Sequence, residues 1–535
     1  MLQMKNHEKL FSRASQLALE GEYKKAIELY NTLIKSDPKN TLYKIHLGVA
    51  YFDAGDYSNV IKITSDYVKI ETNAPFVHQL RGRAFFKLEE LDSSLHEFNL
   101  EIKKNPDYAE VYCDRAYSLL ELNRGNEALE SAMKASQLDP KISDAYHCMA
   151  IALNQQGHLK NAIQHCLQAI ELESSNPNFY RTLGDVSYNQ EDFKSAIKYY
   201  EKSLHDDKNF FIGAFQKSRA HLSSFDFKNG WQLYENRHLR ESKSKAHLYQ
   251  EFSKTNFKSI KRILILKEQG LGDEILFGSL LHEVDDHNRE VYVEIDERLM
   301  SIFKRSFLHI NFFTGENYPK EFKPDITFGI GSLAGFLRQS VDSFKNQKIK
   351  FLESNKTKTL MLKNRLNEFK LHANEKICGL SWSSQNKRIG KQKSIDLAHF
   401  ELILKMPNIK FVSLQYGEHD DELDKIKEEY GIEIHRFNDI DLYHDIESLC
   451  SLIDACDLVI TSSNVTVHLA GSLGKKTYLL APRGEGSLFY WHVDLKQSLW
   501  YKSVSVFHQK DIGSWREPAS DIYQEIMREK IYIHK

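Results

Sequence analysis

The chain has 535 residues, of which 41% are apolar and 27% charged, so it is long enough for three or four compact units and too apolar for wholesale disorder. Its 72 Lys and Arg residues nearly balance 74 Asp and Glu residues, which argues against nucleic-acid binding by broad phosphate neutralisation. No apolar run reaches the roughly 18 residues of a spanning helix, and no N-terminal signal is visible, so we expect a cytoplasmic protein. Its six cysteines form no C-x-x-C pair, as expected for free thiols in a reducing compartment.

The N-terminal half repeats with a period of 34 residues. Ala128, Ala162 and Ala196 fall at this interval, and proline at positions such as Pro140 would stop the second helix of a unit. Small residues at fixed spacing allow paired helices to approach closely. The pattern resembles the tetratricopeptide repeat family and predicts an all-α superhelical array of six to seven helix pairs over residues 6–240.

Such an array offers a continuous inner face on which a protein or peptide partner can bind. By the register of that family, the inner face would carry Arg83, Tyr117, His147, Asn154 and Arg181. The alternative for Tyr117 and His147 is that they are packing or solvated residues.

The C-terminal half alternates predicted strands with helical stretches, which is typical of doubly wound parallel sheets. We predict two Rossmann-like lobes, over residues 258–370 and 375–535, with a helix near the C-terminus. The seven predicted strands are KRILILK, VYVEI, DITFGI, KICGLSW, IKFVSLQYG, DLVITSS and KKTYLLAP.

The first polar turn, EQGLGDE, follows the first of these strands. Ile275 replaces the third glycine of a dinucleotide fingerprint, although Glu294 at the end of the next strand leaves that interpretation open. Alternatively, Gly270 and Gly272 let the backbone approach a substrate while Asp273 projects into a cleft. A third possibility is that Asp273 only caps a helix.

The second polar turn follows the strand DLVI, and a helix is expected to begin near Asn464. Hydroxyl and amide side chains beside free N–H groups at the positive end of a helix can hold phosphate. Ser462, Ser463 and Asn464 are the candidates. His468, one turn further on, is either a phosphate donor or a structural histidine.

Several segments of the C-terminal half, taken together, resemble one family. That family is the bacterial tetratricopeptide-repeat glycosyltransferases, whose catalytic part is similar to the lipopolysaccharide heptosyltransferases. The resemblance implies a GT-B type fold, with the acceptor at the first lobe and a nucleotide-activated sugar at the second. The segments are EQGLGDEILF, GLSWSSQNKR…KSI, FVSLQYG, DIESLCSLIDACDLVI and VHLAGSLGKKTYLLAP, together with the junction FDFKNGWQLYENR.

The resemblance also assigns roles by position. Asp273 matches the candidate general base, and His468 matches the histidine of the family's phosphate turn. That turn usually begins with Asp and Thr, whereas this chain has Ser463 and Asn464. The remaining candidate contacts to the donor are Gly270, Gly272, Ser384, Gln385, Lys387, Arg388, Gln415 and Ser462.

We therefore expect a metal-independent glycosyltransferase that acts on a protein held by the repeats. The nucleotide sugar is a substrate, and neither a resident cofactor nor a metal is expected. Relatives of this layout modify flagellin, which suggests O-linked glycosylation of flagellin or another surface protein. Two alternatives stay open: an inactive scaffold for protein interactions, and an enzyme whose acceptor is a glycan or lipid-linked sugar.

Overall fold

The structure is a computed structural model that describes residues 2–70, 76–206, 211–237, 257–285, 288–317, 319–386 and 389–529. The chain forms two compact units, residues 1–186 and 187–535. This is fewer than the three or four expected from length, because both parallel sheets of the second unit share one hydrophobic core.

The N-terminal part is all α, as predicted. Its described residues form fourteen helices. They are Leu2–Leu19, Tyr23–Ser36, Thr41–Asp53, Tyr57–Ile70, Val77–Lys87, Leu91–Lys104, Ala109–Glu121, Gly125–Leu138, Ser143–Gln155, Leu159–Leu172, Pro177–Asn189, Phe193–Asp206, Phe211–Ser223 and Phe227–Tyr234.

Small residues of the repeat lie where these helices pack closely. Ala128, Ala162 and Ala196 are completely buried. A Cβ atom placed on Gly82 would lie 2.5 Å from Cε1 of Phe98, so only glycine fits against this ring. The prediction that small residues allow paired helices to approach closely is confirmed here.

The second unit contains two parallel sheets. The first has the order β3-β2-β1-β4 and the second the order β10-β9-β8-β5-β6-β7. In the first sheet the strands are β1 (Arg262–Leu266), β2 (Glu290–Glu294), β3 (Asn311–Phe313) and β4 (Ile326–Gly329). In the second they are β5 (Lys376–Ser381), β6 (Ile409–Ser413), β7 (Ile434–His435), β8 (Leu458–Ser462), β9 (Thr477–Ala481) and β10 (Val504–His508).

Helices flank both sheets, so the α/β class predicted for the C-terminal half is confirmed. All seven predicted strands are present, whereas β3, β7 and β10 were not predicted. The helices of this region are Leu271–Gly278, Met300–Ser306, Ser332–Leu337, Lys356–Asn367, Gly390–Lys393, Glu401–Leu404, Asp420–Tyr430, Ile446–Ala455, Val465–Ser472 and Arg516–Arg528.

The last helices of the N-terminal part belong to the core of the second unit. Trp231 and Tyr234 are buried in one cluster with residues of both sheets. The indole of Trp231 contacts the rings of Phe277 and Trp500, and its Nε1 donates a hydrogen bond of 2.7 Å to the carbonyl of Arg338. The segment 211–237 is thus built into the α/β unit.

None of the helices in the described ranges is both long and apolar enough to cross a membrane.

Candidate functional site

The turn after β1 carries Asp273 at the start of the helix Leu271–Gly278. Gly270 is the N-cap of this helix, and Asp273 Oδ2 accepts a long hydrogen bond of 3.4 Å from the Gly270 N–H. The Asp273 side chain is half-buried. Asp273 therefore caps the helix, as one interpretation predicted, and this position at the carboxyl end of a parallel strand is also where open α/β sheets bind ligands.

The turn after β8 is held together by its own polar side chains. Asn464 is the N-cap of the helix Val465–Ser472, which confirms the predicted helix start. Its Oδ1 accepts from the Thr466 N–H at 3.0 Å, and its Nδ2 donates to Ser381 Oγ at 2.8 Å and to the Ser383 carbonyl at 3.0 Å. The Asn464 amide thus joins the ends of β8 and β5.

The two serines of this turn are also buried and bonded within the protein. Ser463 Oγ accepts a hydrogen bond of 3.0 Å from Trp491 Nε1, and Ser462 Oγ accepts one of 3.3 Å from the Asn464 amide. These side chains fix the shape of the turn. Their contact with a donor, and that of Asn464, stays a prediction.

The loop after β5 is organised by Gln415, which follows β6. Gln415 is buried, and its Oε1 accepts from the N–H groups of Trp382 and Ser383, both at 2.9 Å. Ser384 N–H donates to Ser394 Oγ at 3.1 Å, and the exposed Gln385 packs beside Gly417. Gln415 therefore shapes this loop from within.

Lys387 and Arg388, the two predicted phosphate partners in this loop, lie outside the described residues.

The two polar turns meet in the structure. A Cβ atom placed on Gly272 would lie 2.9 Å from Cδ2 and 3.1 Å from Nε2 of His468, so the glycine backbone rests against the imidazole. The helices that begin at Leu271 and Val465 pack against each other. The structure thus brings the Asp273 turn and the His468 helix together at the carboxyl ends of the two sheets.

His468 is a neutral, enclosed histidine. Its Nδ1 lies 3.0 Å from the Tyr501 hydroxyl, and the rings of Tyr490 and Trp491 surround it. Burial, with the nearby charge of Lys393, lowers the pKa of His468 to about 3. Its Nε2, on the side of Gly272, has no hydrogen-bond partner among the described residues. A neutral ring whose Nδ1 accepts from Tyr501 would carry its proton on this Nε2.

Lys393 is the candidate that the sequence did not single out. It is buried, with no hydrogen-bond or ion-pair partner in the described part of the chain. Burial lowers the pKa of Lys393 to about 8, the carboxylate of Asp273 opposes that shift, and Arg219 adds to it. Lys393 lies within the KSI segment that contributed to the family resemblance, but no spacing rule marked its ammonium group as part of a site.

Aromatic hydroxyls complete the surroundings of Asp273. The negative charge of this carboxylate contributes to raising the pKa values of Tyr490 and Tyr501, which burial already raises. The site therefore combines a carboxylate, an ammonium group, a neutral imidazole and two phenols in largely buried surroundings. In such surroundings charges act more strongly than in water.

Glu294, which left a dinucleotide site open, is buried at the end of β2. Within the described ranges, no group of three or more His, Cys, Asp or Glu side chains is arranged to hold a metal ion.

In the repeat unit, the predicted inner-face residues bind one another. Tyr117 hydroxyl donates to Asp144 Oδ1 at 2.8 Å and lies 2.9 Å from His147 Nδ1, while His147 Nε2 lies 2.8 Å from Thr182 Oγ1. These side chains connect three successive repeats, which favours the packing interpretation of Tyr117 and His147.

The two arginines predicted for the inner face are more open than Asn154. Arg83 is exposed and donates to Asp114 Oδ2 at 2.8 Å, and Arg181 is half-buried and pairs with Asp185 at 3.2 Å. Asn154 is buried.

Comparison with known proteins shows repeats in the N-terminal part. Residues 16–59 and residues 109–142 match two family models, each described as a tetratricopeptide repeat. The chain therefore contains tetratricopeptide repeats, as its 34-residue period predicts.

One likeness spans nearly the whole chain. Over 540 aligned residues the chain is 25% identical to Protein FlbA of Caulobacter vibrioides, covering 96% of this chain and 88% of that protein. Over 108 residues it is 28% identical to Protein STIP1 homolog of Dictyostelium discoideum, covering 20% of this chain and 19% of that protein. Among solved structures, a tetratricopeptide repeat protein from Parabacteroides merdae matches with a TM-score of 0.39 and 15% identity, covering 45% of this chain and 95% of that one.

Proposed function

We propose that the second unit is a glycosyltransferase of the GT-B type, which transfers a sugar from a nucleotide-activated donor to a protein acceptor. The observation that carries this proposal is the meeting of the Asp273 turn with the His468 helix. The charge of Lys393 acts on both Asp273 and His468. An acid–base group and a cation in one largely buried place, at the carboxyl ends of two parallel sheets, suit group transfer from a phosphate-linked sugar.

In this proposal Asp273 is the general base. The oxygen of an acceptor hydroxyl attacks the anomeric carbon and its proton passes to the Asp273 carboxylate. The bond between that carbon and the phosphate oxygen breaks, and its electron pair leaves with the nucleotide. General base catalysis of this kind contributes about 10²- to 10⁴-fold to the rate.

The charge that develops on the departing phosphate is stabilised from the second lobe. Lys393, with a pKa of about 8, is mainly cationic at pH 7. His468 stays neutral, and its Nε2 can donate one hydrogen bond without carrying charge. The N–H groups at the start of the helix Val465–Ser472 add the positive end of a helix dipole.

The repeats supply the acceptor. Tethering a protein-binding array to the catalytic unit raises the effective concentration of a bound acceptor near the site. The likeness to Protein FlbA covers 96% of this chain, so it includes both parts and supports treating them as one functional protein. Following the family resemblance, flagellin or another surface protein is the acceptor class that we favour.

A panel of UDP-, GDP-, ADP- and CMP-linked sugars, offered to the full chain with nucleotide release as the readout, tests the proposal. Asp273→Asn should lower release and transfer at least about 100-fold, because the amide cannot accept the proton, while nucleotide affinity changes less than about twofold. Asp342→Asn, in an exposed pair with Lys345, is the matched control and should leave both unchanged. Full activity in Asp273→Asn would remove Asp273 from the base role.

One observation favours a second candidate, a scaffold without catalytic activity. The family's Asp and Thr are replaced by Ser463 and Asn464, and the Asn464 amide is engaged within the protein. A scaffold of this kind would bind none of the nucleotide sugars in the panel.

A further inference from the structure

The turn that carries Asp273 begins with an unusual backbone conformation. Gln269 has a φ of +60°, in the left-handed region that non-glycine residues rarely adopt. It stands directly between the end of β1 and Gly270, the N-cap of the Asp273 helix. Some contact must favour this conformation over the common ones.

Gln269 is contacted by Tyr234, at the end of the helical region. The Tyr234 hydroxyl lies 3.3 Å from Oε1 and 3.1 Å from Nε2 of the Gln269 side chain. Tyr234 is buried, and burial together with the charge of Asp273 raises its pKa, so this phenol stays protonated.

The residue before Gln269 is fixed from the same segment. Arg237 Nε and Nη2 donate to the two carboxylate oxygens of Glu268, at 3.0 Å and 2.8 Å. Glu268 Oε1 also accepts from the Gly331 N–H at 2.6 Å, just after β4. Both charged side chains are buried, and a bidentate pair of this kind sets orientation as well as energy.

The space around this ion pair leaves little room for the turn to move. A Cβ atom on Gly329 or Gly331 would lie less than 3 Å from the Glu268 carboxylate, so only glycine at these two positions admits it. Arg237 Nη2 donates in addition to Ser332 Oγ at 2.8 Å. Glu268 is therefore enclosed by the end of β4 on one side and by Arg237 on the other.

We propose that Tyr234 and Arg237 are positioning residues, which hold the turn 268–273 in the shape that presents Asp273 to the site. This inference rests on the proposed function for its catalytic consequence, and on the contacts above for the positioning itself. The end of the helical region is then needed to position Asp273. A chain that lacks residues 1–240 would lose both positioning residues.

Amide hydrogen exchange on the full chain tests the positioning without any substrate. Tyr234→Phe removes one hydroxyl and should accelerate exchange in the segment 268–276 about fivefold, as the loss of a single hydrogen bond would. Tyr478→Phe is the matched control, because its buried hydroxyl donates to Glu529 at 2.7 Å on the second sheet. That variant should leave the exchange of segment 268–276 unchanged.

A second variant shows whether Tyr234 acts through Gln269. Gln269→Gly adopts a positive φ freely and removes the amide that Tyr234 contacts. In the Gln269→Gly chain, adding Tyr234→Phe should therefore change exchange by less than about twofold. Equal acceleration in Tyr234→Phe and Tyr478→Phe, no acceleration in Tyr234→Phe, or full additivity with Gln269→Gly would each overturn the inference.

Enzyme kinetics distinguish this inference from the proposed function. The substrate is the nucleotide sugar on which the full chain acts in the panel described above. Tyr234→Phe should lower kcat about fivefold and leave KM for the nucleotide sugar unchanged. If exchange changes as expected but Asp273→Asn stays fully active, the positioning stands and the base role fails. If Asp273→Asn is inactive but Tyr234→Phe has the wild-type kcat, the base role stands and the positioning inference fails.

Discussion

Two buried histidines, one in each unit, have the same protonation state and different surroundings. Burial lowers the pKa of His147 and of His468 to about 3 in both cases, so neither is charged at pH 7. Both ring nitrogens of His147 have partners, the hydroxyls of Tyr117 and Thr182. Within the described ranges, only Nδ1 of His468 has one, the hydroxyl of Tyr501, and its Nε2 lies against Gly272.

The difference separates a structural network from a candidate site. A buried polar group without a partner costs about 1–3 kcal/mol, and the network around His147 leaves neither nitrogen of that ring without one. The second unit leaves both His468 Nε2 and the Lys393 ammonium without partners among the described residues. In the proposed function, the phosphate of the donor would accept a hydrogen bond from each of these two groups.

Of the variants that test this comparison, the one that adds a single methyl group at the contact of the two turns should have the largest effect on activity. Gly272→Ala would place Cβ 2.9 Å from the His468 ring, which must move the Asp273 turn away. A misplacement of about 1 Å at a reacting group costs about 100-fold in rate, and we expect a loss of about that size in nucleotide release. Gly125→Ala, in the repeats, is the control, because its Cβ would have no neighbour closer than 3.4 Å. Equal activity of the two alanine variants would contradict the account.

A smaller effect is expected from pH through Lys393. Its pKa of about 8 means that the cation is present below this pH and is lost above it. Nucleotide affinity, measured by calorimetry, should therefore be constant below about pH 7 and fall about tenfold as the pH rises beyond 8. Lys393→Arg, which stays charged, should flatten this dependence, and Lys393→Met should bind weakly at every pH. The same slope in wild type and Lys393→Arg would exclude Lys393 as its source.

The smallest change in nucleotide affinity is expected from variants that distinguish the two histidines themselves. His147→Ala leaves two hydroxyls without their partner and should destabilise the helical part by about 2–4 kcal/mol in denaturant unfolding, with unchanged nucleotide affinity. His468→Ala should weaken nucleotide binding about five- to tenfold, the value of one hydrogen bond. Unchanged affinity in His468→Ala would refute its phosphate role.

Local patterns in the sequence predicted much of the fold. The 34-residue period predicted the helix pairs, and apolar runs next to polar turns predicted seven strands together with the helix that begins after Asn464. Strands β3 and β7 have only three and two residues, too few for a periodic signal.

Contacts between distant segments could not be predicted in this way. The charge of Lys393 interacts with that of Asp273, far away in sequence, and Tyr234 reaches Gln269 across 35 residues of sequence. Asn464 and Gln415 carry amide side chains, which often bind ligands. In the structure, their hydrogen bonds to other residues of the protein fix the shape of the loops. Residue type alone does not distinguish these two uses.

The central claim is tested most directly by calorimetric titration of the full chain with the UDP-, GDP-, ADP- and CMP-linked sugars. The account predicts that at least one class binds to the wild-type chain and that Lys393→Met weakens this binding about tenfold or more. A folded wild-type chain that binds none of them would contradict the glycosyltransferase proposal and favour the scaffold.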